Sequence, residues 1–598
     1  MTENENEIAW DLSEMFSGHN DPRISMVMND LQKQVDDFVV TYKGKINTDD
    51  FSAKDLYELF KKQEKFEADI DELSTYAHIN YDANMTVPES EALKKKVEDF
   101  NTETSKTLAF FPLEIGKLIH KKEKLIEDPV LEEYRHYLEK IKRNIPHLLS
   151  EVEEQLILEK DQYGVRAWSE LQGKWLNTRE FQVMVEGVMK ILSYGEANSL
   201  ITHPDRSTRI STNKSIYGLL GKDQEVFSSA LRNICSDWMK VSLRRKYDSP
   251  MHQSLIFNDA SQEIIDNLMR VVEENVGVYQ RYLRLKAKIM GLDKLTCADV
   301  RAPLEAPAMK NRTWKEAKEL VLEAYGKVDD EFKEYVNDMF DRKHIDAAVR
   351  KGKRNGAYCA SWYNGKSAFI LQSYTGALNE IYTLAHELGH AIHDYYTEST
   401  QTFFNLHPGY TVAETASTFG ELLMTDLLLT KADSKDEKRA ILAHVLDDTG
   451  QAAFQVSGRV FFEQSLYDAI ENGENLDGPT ISKYWCAGRD RIYGDSVEWF
   501  DEMIWEWTMK PHYFIPNFRF YNYPYVYAQL FVFALYRKFK EEGKAFIPKF
   551  KKLLSSGGSL SPVDLANIVG LDITKPDFWK LGINQIEEFV NEFEKTLE

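Results

Sequence analysis

Cysteine is nearly missing from this chain: four residues, Cys235, Cys297, Cys359 and Cys486, lie far apart and form no CxxC pair. That excludes a cysteine-built metal site and a disulfide framework, and it places the protein in a reducing cytoplasm, with each thiol read as a small buried hydrophobe. No apolar run approaches the ~20 residues that span a bilayer, and the opening MTENENEIAWDLSEMF is acidic, without the basic-then-apolar order of a secretory signal. Positive charge is also short. Lys and Arg number 74 against 96 Asp and Glu, a net charge of −22, so neither nucleic acid nor anionic lipid is expected as a partner. The excess of acid is read as keeping the protein in solution. Proline is sparse at 17 residues and falls in loops such as 301–309 and 511–516. There is no internal repeat and no low-complexity tract.

What remains is a soluble composition, 43% hydrophobic and 28% charged over 598 residues. Apolar residues recur at three- and four-residue spacing in 26–43, 53–78, 90–126, 131–161, 262–291, 315–342, 436–472 and 525–554. That period predicts a mainly α protein. One stretch differs. In 356–376, GAYCASWYNGKSAFILQSYTG, aromatic and β-branched residues alternate around Asn364-Gly365, a hairpin signal. A small sheet is therefore expected just before the next helix, either closing the core or offering an edge strand to an extended peptide.

That next helix reads I-Y-T-L-A-H-E-L-G-H-A-I-H-D-Y-Y over 381–396. Ile381, Leu384, Ala385, Leu388 and Ile392 fall on one face, so the helix is amphipathic. His386 and His390 are four apart and stack one turn above the other, where two ring nitrogens can both lie about 2 Å from one zinc ion. Glu387 is rotated by roughly 100° from His386, beside the metal rather than aimed at it. There it can act as general base on a water and return the proton to a leaving amine. Gly389 costs the helix about 1 kcal/mol relative to Ala, which is reasonable if another element approaches its backbone.

A catalytic zinc keeps three protein ligands and one open position. A metzincin needs Gly at 393 and His at 396, and this chain has His393 and Tyr396, so a carboxylate on a later helix is expected as the third ligand. The segment 412–428, VAETASTFGELLMTDLL, offers Glu414 for the metal and Glu421, seven residues on, to orient a histidine. Val412, Ala416, Phe419, Leu423 and Leu427 are its apolar contacts. Asp394 and Glu398 compete as ligands but share the first helix or its end.

Four stretches now resemble the oligoendopeptidase F-type metallopeptidases, relatives of thimet oligopeptidase and neurolysin. They are Trp10-Asp11-Leu12-Ser13, TLAHELGHAIH at 383–393, AETASTFGELL at 413–423, and PHYFIPNFRFYNYPY at 511–525. The resemblance runs over nearly the whole chain and is most specific in the second and third stretches. It implies Glu414 as the zinc ligand, with His512 and the run Phe520-Tyr521-Asn522-Tyr523-Pro524-Tyr525 binding and polarising the substrate carbonyl. Tyr525 is the favoured oxyanion donor and Tyr521 the second. It also implies a large helical ellipsoidal body with a deep substrate cleft, an N-terminal helical lobe over 1–200 and a catalytic domain over 201–598. The expected function is a cytoplasmic zinc endopeptidase that holds one Zn2+ per chain and cuts short unfolded oligopeptides. The rival readings are a non-catalytic zinc-containing peptide-binding protein of the same fold, and a metal-free helical interaction protein.

Overall fold

The computed structural model describes residues 8–304 and 311–598, and there the stretches of three- and four-residue apolar spacing become mostly helix. Pro22–Tyr42 buries Ile24, Met28, Leu31, Val35 and Phe38 along one stripe. Ala53–Ala83 starts on a capping box, in which Ser52 and Asp55 bond each other's backbone N–H groups. The stretch 90–126 divides at Ala109 into Pro88–Leu108 and Phe110–Lys121. The fold is mainly α, with three small sheets among the described residues.

The chain forms two compact units, each assembled from three segments. The first comprises Met1–Ile145, Met309–Lys431 and Leu535–Asp572; the second comprises Pro146–Ala308, Ala432–Ala534 and Ile573–Glu598. The core of the first unit gathers Leu31, Val35, Phe38, Leu56, Phe60, Phe66, Phe111 and Leu138 with Trp362 and Phe369 from much later in the chain. In the second unit the helices Gln262–Glu274 and Pro576–Lys595 bury their Ile, Leu and Phe faces.

The expected hairpin lies in the first unit. Tyr358–Trp362 pairs antiparallel with Ser367–Leu371 in the register Tyr358↔Leu371 to Trp362↔Ser367. Ile345–Asp346 adds in parallel on the other side, so Ser367–Leu371 is central and Tyr358–Trp362 is an edge. The turn is longer than a two-residue Asn-Gly loop. A single 3-10 turn covers Tyr363–Gly365, and the left-handed residue is Lys366, at φ 48°. Gly365 serves a different need, since a Cβ there would lie 2.3 Å from the Trp362 ring. A second hairpin, Phe181–Val185 with Val188–Leu192, turns on Glu186 and Gly187, both at positive φ. The alternation in FQVMV and a glycine between two short apolar runs were its signal, hidden among longer helical patterns.

Candidate metal centre

The helix Leu378–Thr400 carries the His-Glu-x-x-His motif against the hairpin. Glu380, in its first turn, accepts backbone N–H bonds from Thr375, Gly376 and Ala377, so the strand-to-helix connection is tied to the helix start. Ile381, Leu384, Ala385, Leu388 and Ile392 are all buried. The helix crosses Thr415–Lys431 at two glycines. A Cβ on Gly389 would lie 2.3 Å from the Ala416 carbonyl oxygen, and one on Gly420 would lie 2.8 Å from the Ala385 carbonyl oxygen. Tyr325 donates its hydroxyl to that Ala385 carbonyl at 2.6 Å. Backbone against backbone, this crossing brings the two acidic residues to the histidines.

Glu414 is not inside a continuous helix. A short turn, Tyr410–Ala413, ends at Glu414 (φ −83°, ψ 12°), and the long helix begins at Thr415. Thr415 donates its hydroxyl to the Val412 carbonyl at 2.6 Å, closing the break. His393 bonds the carbonyl of Ala413, so the motif helix also holds the residue before Glu414. In the sequence His393 served only to exclude the metzincin pattern.

His386 Nε2 and His390 Nε2 lie 3.3 and 3.2 Å from the same oxygen, Glu414 Oε2. Among the described residues, His386, His390 and Glu414 form the group whose ligand atoms all lie within 4.8 Å of one another. The Nδ1–H of His386 donates to Glu421 at 2.6 Å, which leaves Nε2 to face the group. Ser417 donates its hydroxyl to Glu414 at 2.7 Å. Two imidazole nitrogens and one carboxylate oxygen, with a carboxylate fixing one imidazole tautomer, fit a borderline cation such as zinc. Asp394 and Glu398 are not in this group. The Cys359 thiol faces Asp394 at 3.9 Å, and burial pushes Glu398 up to about 9.

The imidazoles and carboxylates of the group shift one another strongly. Burial works to lower the His386 pKa, but the Glu421 hydrogen bond and charge outweigh it and raise it to about 9. Burial works to raise Glu414, and the two imidazoles with Ser417 hold it down at about 2. Glu387 is buried, and that burial lifts its carboxyl above the usual range against the pull of His386 and His390. Cys359 is raised well above an ordinary thiol by burial and is no nucleophile.

His512, Tyr521 and Tyr525 belong to the second unit and form a cluster of their own. The His512 ring lies 5.4 Å from that of Tyr521 and 6.0 Å from that of Tyr525, and the two tyrosine rings are 5.8 Å apart. Tyr525 is 43% exposed. Tyr523 is fully buried and donates its hydroxyl to the Ser254 carbonyl at 3.0 Å, which makes it structural.

The sequence model described as "Peptidase family M3" matches residues 199–584, more than half of the chain. The chain belongs to peptidase family M3. It is therefore a peptidase of a metallopeptidase family, and the His-His-Glu group is its candidate metal centre. A model described as "Oligopeptidase F" matches residues 120–178 of this M3 chain. Oligopeptidase PepF of Bacillus subtilis is 27% identical to it over 570 residues, 93% of this chain and 82% of that one. Group B oligopeptidase PepB of Streptococcus agalactiae is 28% identical over 563 residues, 91% of each chain. Among solved structures, oligoendopeptidase-F from Enterococcus faecium superposes with a TM-score of 0.69 at 22% identity, over 96% of this chain and 99% of its own. A Chlamydophila abortus structure described as a peptidase reaches 0.87 at 22% identity, over 99% and 98%. These place the mainly helical M3 fold over the full length. Among the described residues, no helix is long and apolar enough to cross a membrane.

Proposed function

We propose that this M3 peptidase is a zinc endopeptidase of short oligopeptides, with His386, His390 and Glu414 holding one ion per chain. The observation that carries the reading is the approach of both Nε2 atoms to one oxygen of Glu414, at 3.3 and 3.2 Å. Zinc held there supplies Lewis acidity, lowering the pKa of a water and polarising a carbonyl. Glu387 accepts the proton of the attacking water on its carboxylate and passes it to the nitrogen of the departing amine. Its burial, which raises its pKa, makes its carboxylate a stronger base toward the proton of that water. Glu421 holds the His386 ring through Nδ1. Tyr525, with Tyr521 second, donates a hydroxyl hydrogen bond to the developing oxyanion, and His512 binds the peptide. The edge strand Tyr358–Trp362 offers backbone groups to an extended substrate.

Support for oligopeptides as the substrate class comes from the names of the relatives, oligopeptidases in Bacillus subtilis and Streptococcus agalactiae. The M3 match beginning at residue 199 supports reading 201–598 as the catalytic part, while the expected N-terminal lobe over 1–200 divides between the two compact units at residue 145. A cytoplasmic site of action is consistent with four unpaired cysteines. The test is Glu387→Gln, assayed on a quenched fluorescent peptide library with bound zinc measured in the same sample. The variant is expected to keep about one zinc and lose turnover by several orders of magnitude; retained cleavage would sink the role of Glu387, and a wild type without zinc would sink the metal assignment.

A further inference from the structure

The second unit holds a cavity that the peptidase reading does not use. Two helices, Val456–Glu471 and Gly478–Tyr493, cross where a Cβ on Gly488 would lie 2.5 Å from the Gly458 carbonyl oxygen. That crossing sets Arg459 and Arg489, each one residue beyond a crossing glycine, side by side on one cavity wall. Trp485, Tyr493, Trp499, Gln455 and Glu506 complete this wall. This space, of about 20 Å³, shares Gln455, Arg459, Tyr493, Trp499 and Glu506 with a second of about 80 Å³ that also reaches Arg301 and Lys510. A π-helical turn, Gly450–Gln455, lies directly before the Arg459 helix and supplies Gln455; such turns recur at functional sites.

The charges do not balance. Arg301, Arg459, Arg489 and Lys510 face the connected space, and the one carboxylate lining it among the described residues is Glu506. Lys510 pairs with Glu506 at 2.7 Å, and the exposed Asp490 pairs with Arg489 at 2.8 Å. Four donor nitrogens around the space are nevertheless buried without a hydrogen-bond partner: Arg459 Nε, Arg489 Nη1, Trp485 Nε1 and Trp499 Nε1. Trp485 is only 5% exposed. A buried donor left unpaired costs about 1–3 kcal/mol, more when charged, so these four favour an acceptor that the chain itself does not supply. Burial, with the Arg459 and Arg301 charges beside it, pulls the Lys510 ammonium down to about 8 against the opposing pull of Glu506.

We propose that this cavity binds a small inorganic anion, held by Arg459, Arg489 and the indole N–H groups of Trp485 and Trp499. The unpartnered donors on its lining, two of them guanidinium, outnumber the one carboxylate, Glu506, and that chemistry recognises a halide or an oxyanion rather than a cation or an apolar group. The inference is independent of the metal centre, so it stands or fails without touching the peptidase reading.

The test is calorimetric titration of the full-length protein with sodium phosphate and, separately, sodium chloride, at constant ionic strength set with a bulky organic anion. One saturable site per chain is expected for at least one of the two anions, weakened at least tenfold in Arg459→Gln and less in Arg489→Lys. No saturable binding of either anion to the folded wild type overturns the proposal, and so does undiminished binding in a folded Arg459→Gln. If that variant does not fold, wild-type crystals soaked in bromide decide it. An anomalous peak within reach of Trp485 and Arg489 in those crystals, or in others soaked in arsenate as the phosphate stand-in, supports the site, and its absence from both refutes it.

Discussion

Glu421 shows how much one hydrogen bond can govern. Its carboxylate takes the Nδ1 proton of His386 at 2.6 Å, and without it the ring is free to present either nitrogen. Glu421→Gln is expected to lower zinc affinity by roughly 10–100-fold, the usual effect of losing a ligand's orienting partner, with the helices intact by circular dichroism. Competition against a chromogenic chelator measures it. His344 is a second residue whose chemistry its neighbours settle. Its ring is fully buried, bonds the Ser367 hydroxyl and packs against Phe369. Burial, aided by the Arg342 charge, pulls its pKa from 6.5 to about 4. Between those values the unfolded chain takes up a proton that the folded chain refuses, so stability is fully present above about pH 6.5 and falls as pH drops toward 4. Urea midpoints measured from pH 7 to 4 are expected to fall less steeply in His344→Gln than in the wild type.

At the scale of elements, the crossing of Leu378–Thr400 with Thr415–Lys431 is the feature to probe. Gly389→Ala gains about 1 kcal/mol of helix propensity. The new methyl, however, meets the backbone carbonyl of Ala416 at 2.3 Å, and backbone cannot swing aside as a flexible side chain would. Overpacking of this kind costs about 1–3 kcal/mol, so the clash wins. A lower Tm is expected, with weaker zinc binding because Glu414 and Ser417 move with Ala416. A variant with unchanged Tm and metal content would contradict this account of the crossing. The glycine inside the motif was legible in the sequence as a sign of close approach, but its partner was not. Nor was the break at Glu414, since AETASTFGELL reads as one uninterrupted helix, whereas the short turn Tyr410–Ala413 ends at Glu414 and the long helix starts at Thr415.

For the molecule as a whole, the metal is expected to matter to chemistry more than to folding. The two helices bury apolar residues of their own, Leu384 and Leu388 on one and Phe419 and Leu423 on the other, which is packing that no metal ligand supplies. Chelation should abolish cleavage while leaving the helical circular dichroism unchanged, and should lower Tm only by the linkage contribution of lost zinc binding. Collapse of the helical signal on chelation would refute that. The segmented architecture makes a second prediction. Because the core of the first unit joins residues 15–138 to Trp362 and Phe369, a chain starting at residue 201 is expected to lose a cooperative thermal transition in calorimetry.

The sequence by itself determined whatever depends on local period. Helices followed from three- and four-residue apolar spacing, the hairpin from two-residue alternation, and the stacking of His386 and His390 from their separation of four, because backbone geometry repeats identically wherever it forms. Tertiary structure alone decided what depends on meetings between distant segments. It brought Glu414 to both Nε2 atoms, Glu421 to Nδ1 of His386, and Arg459 beside Arg489 across a pair of glycines. Such meetings are set by which helix faces pack together and how closely their backbones can approach, and no spacing along one segment encodes them.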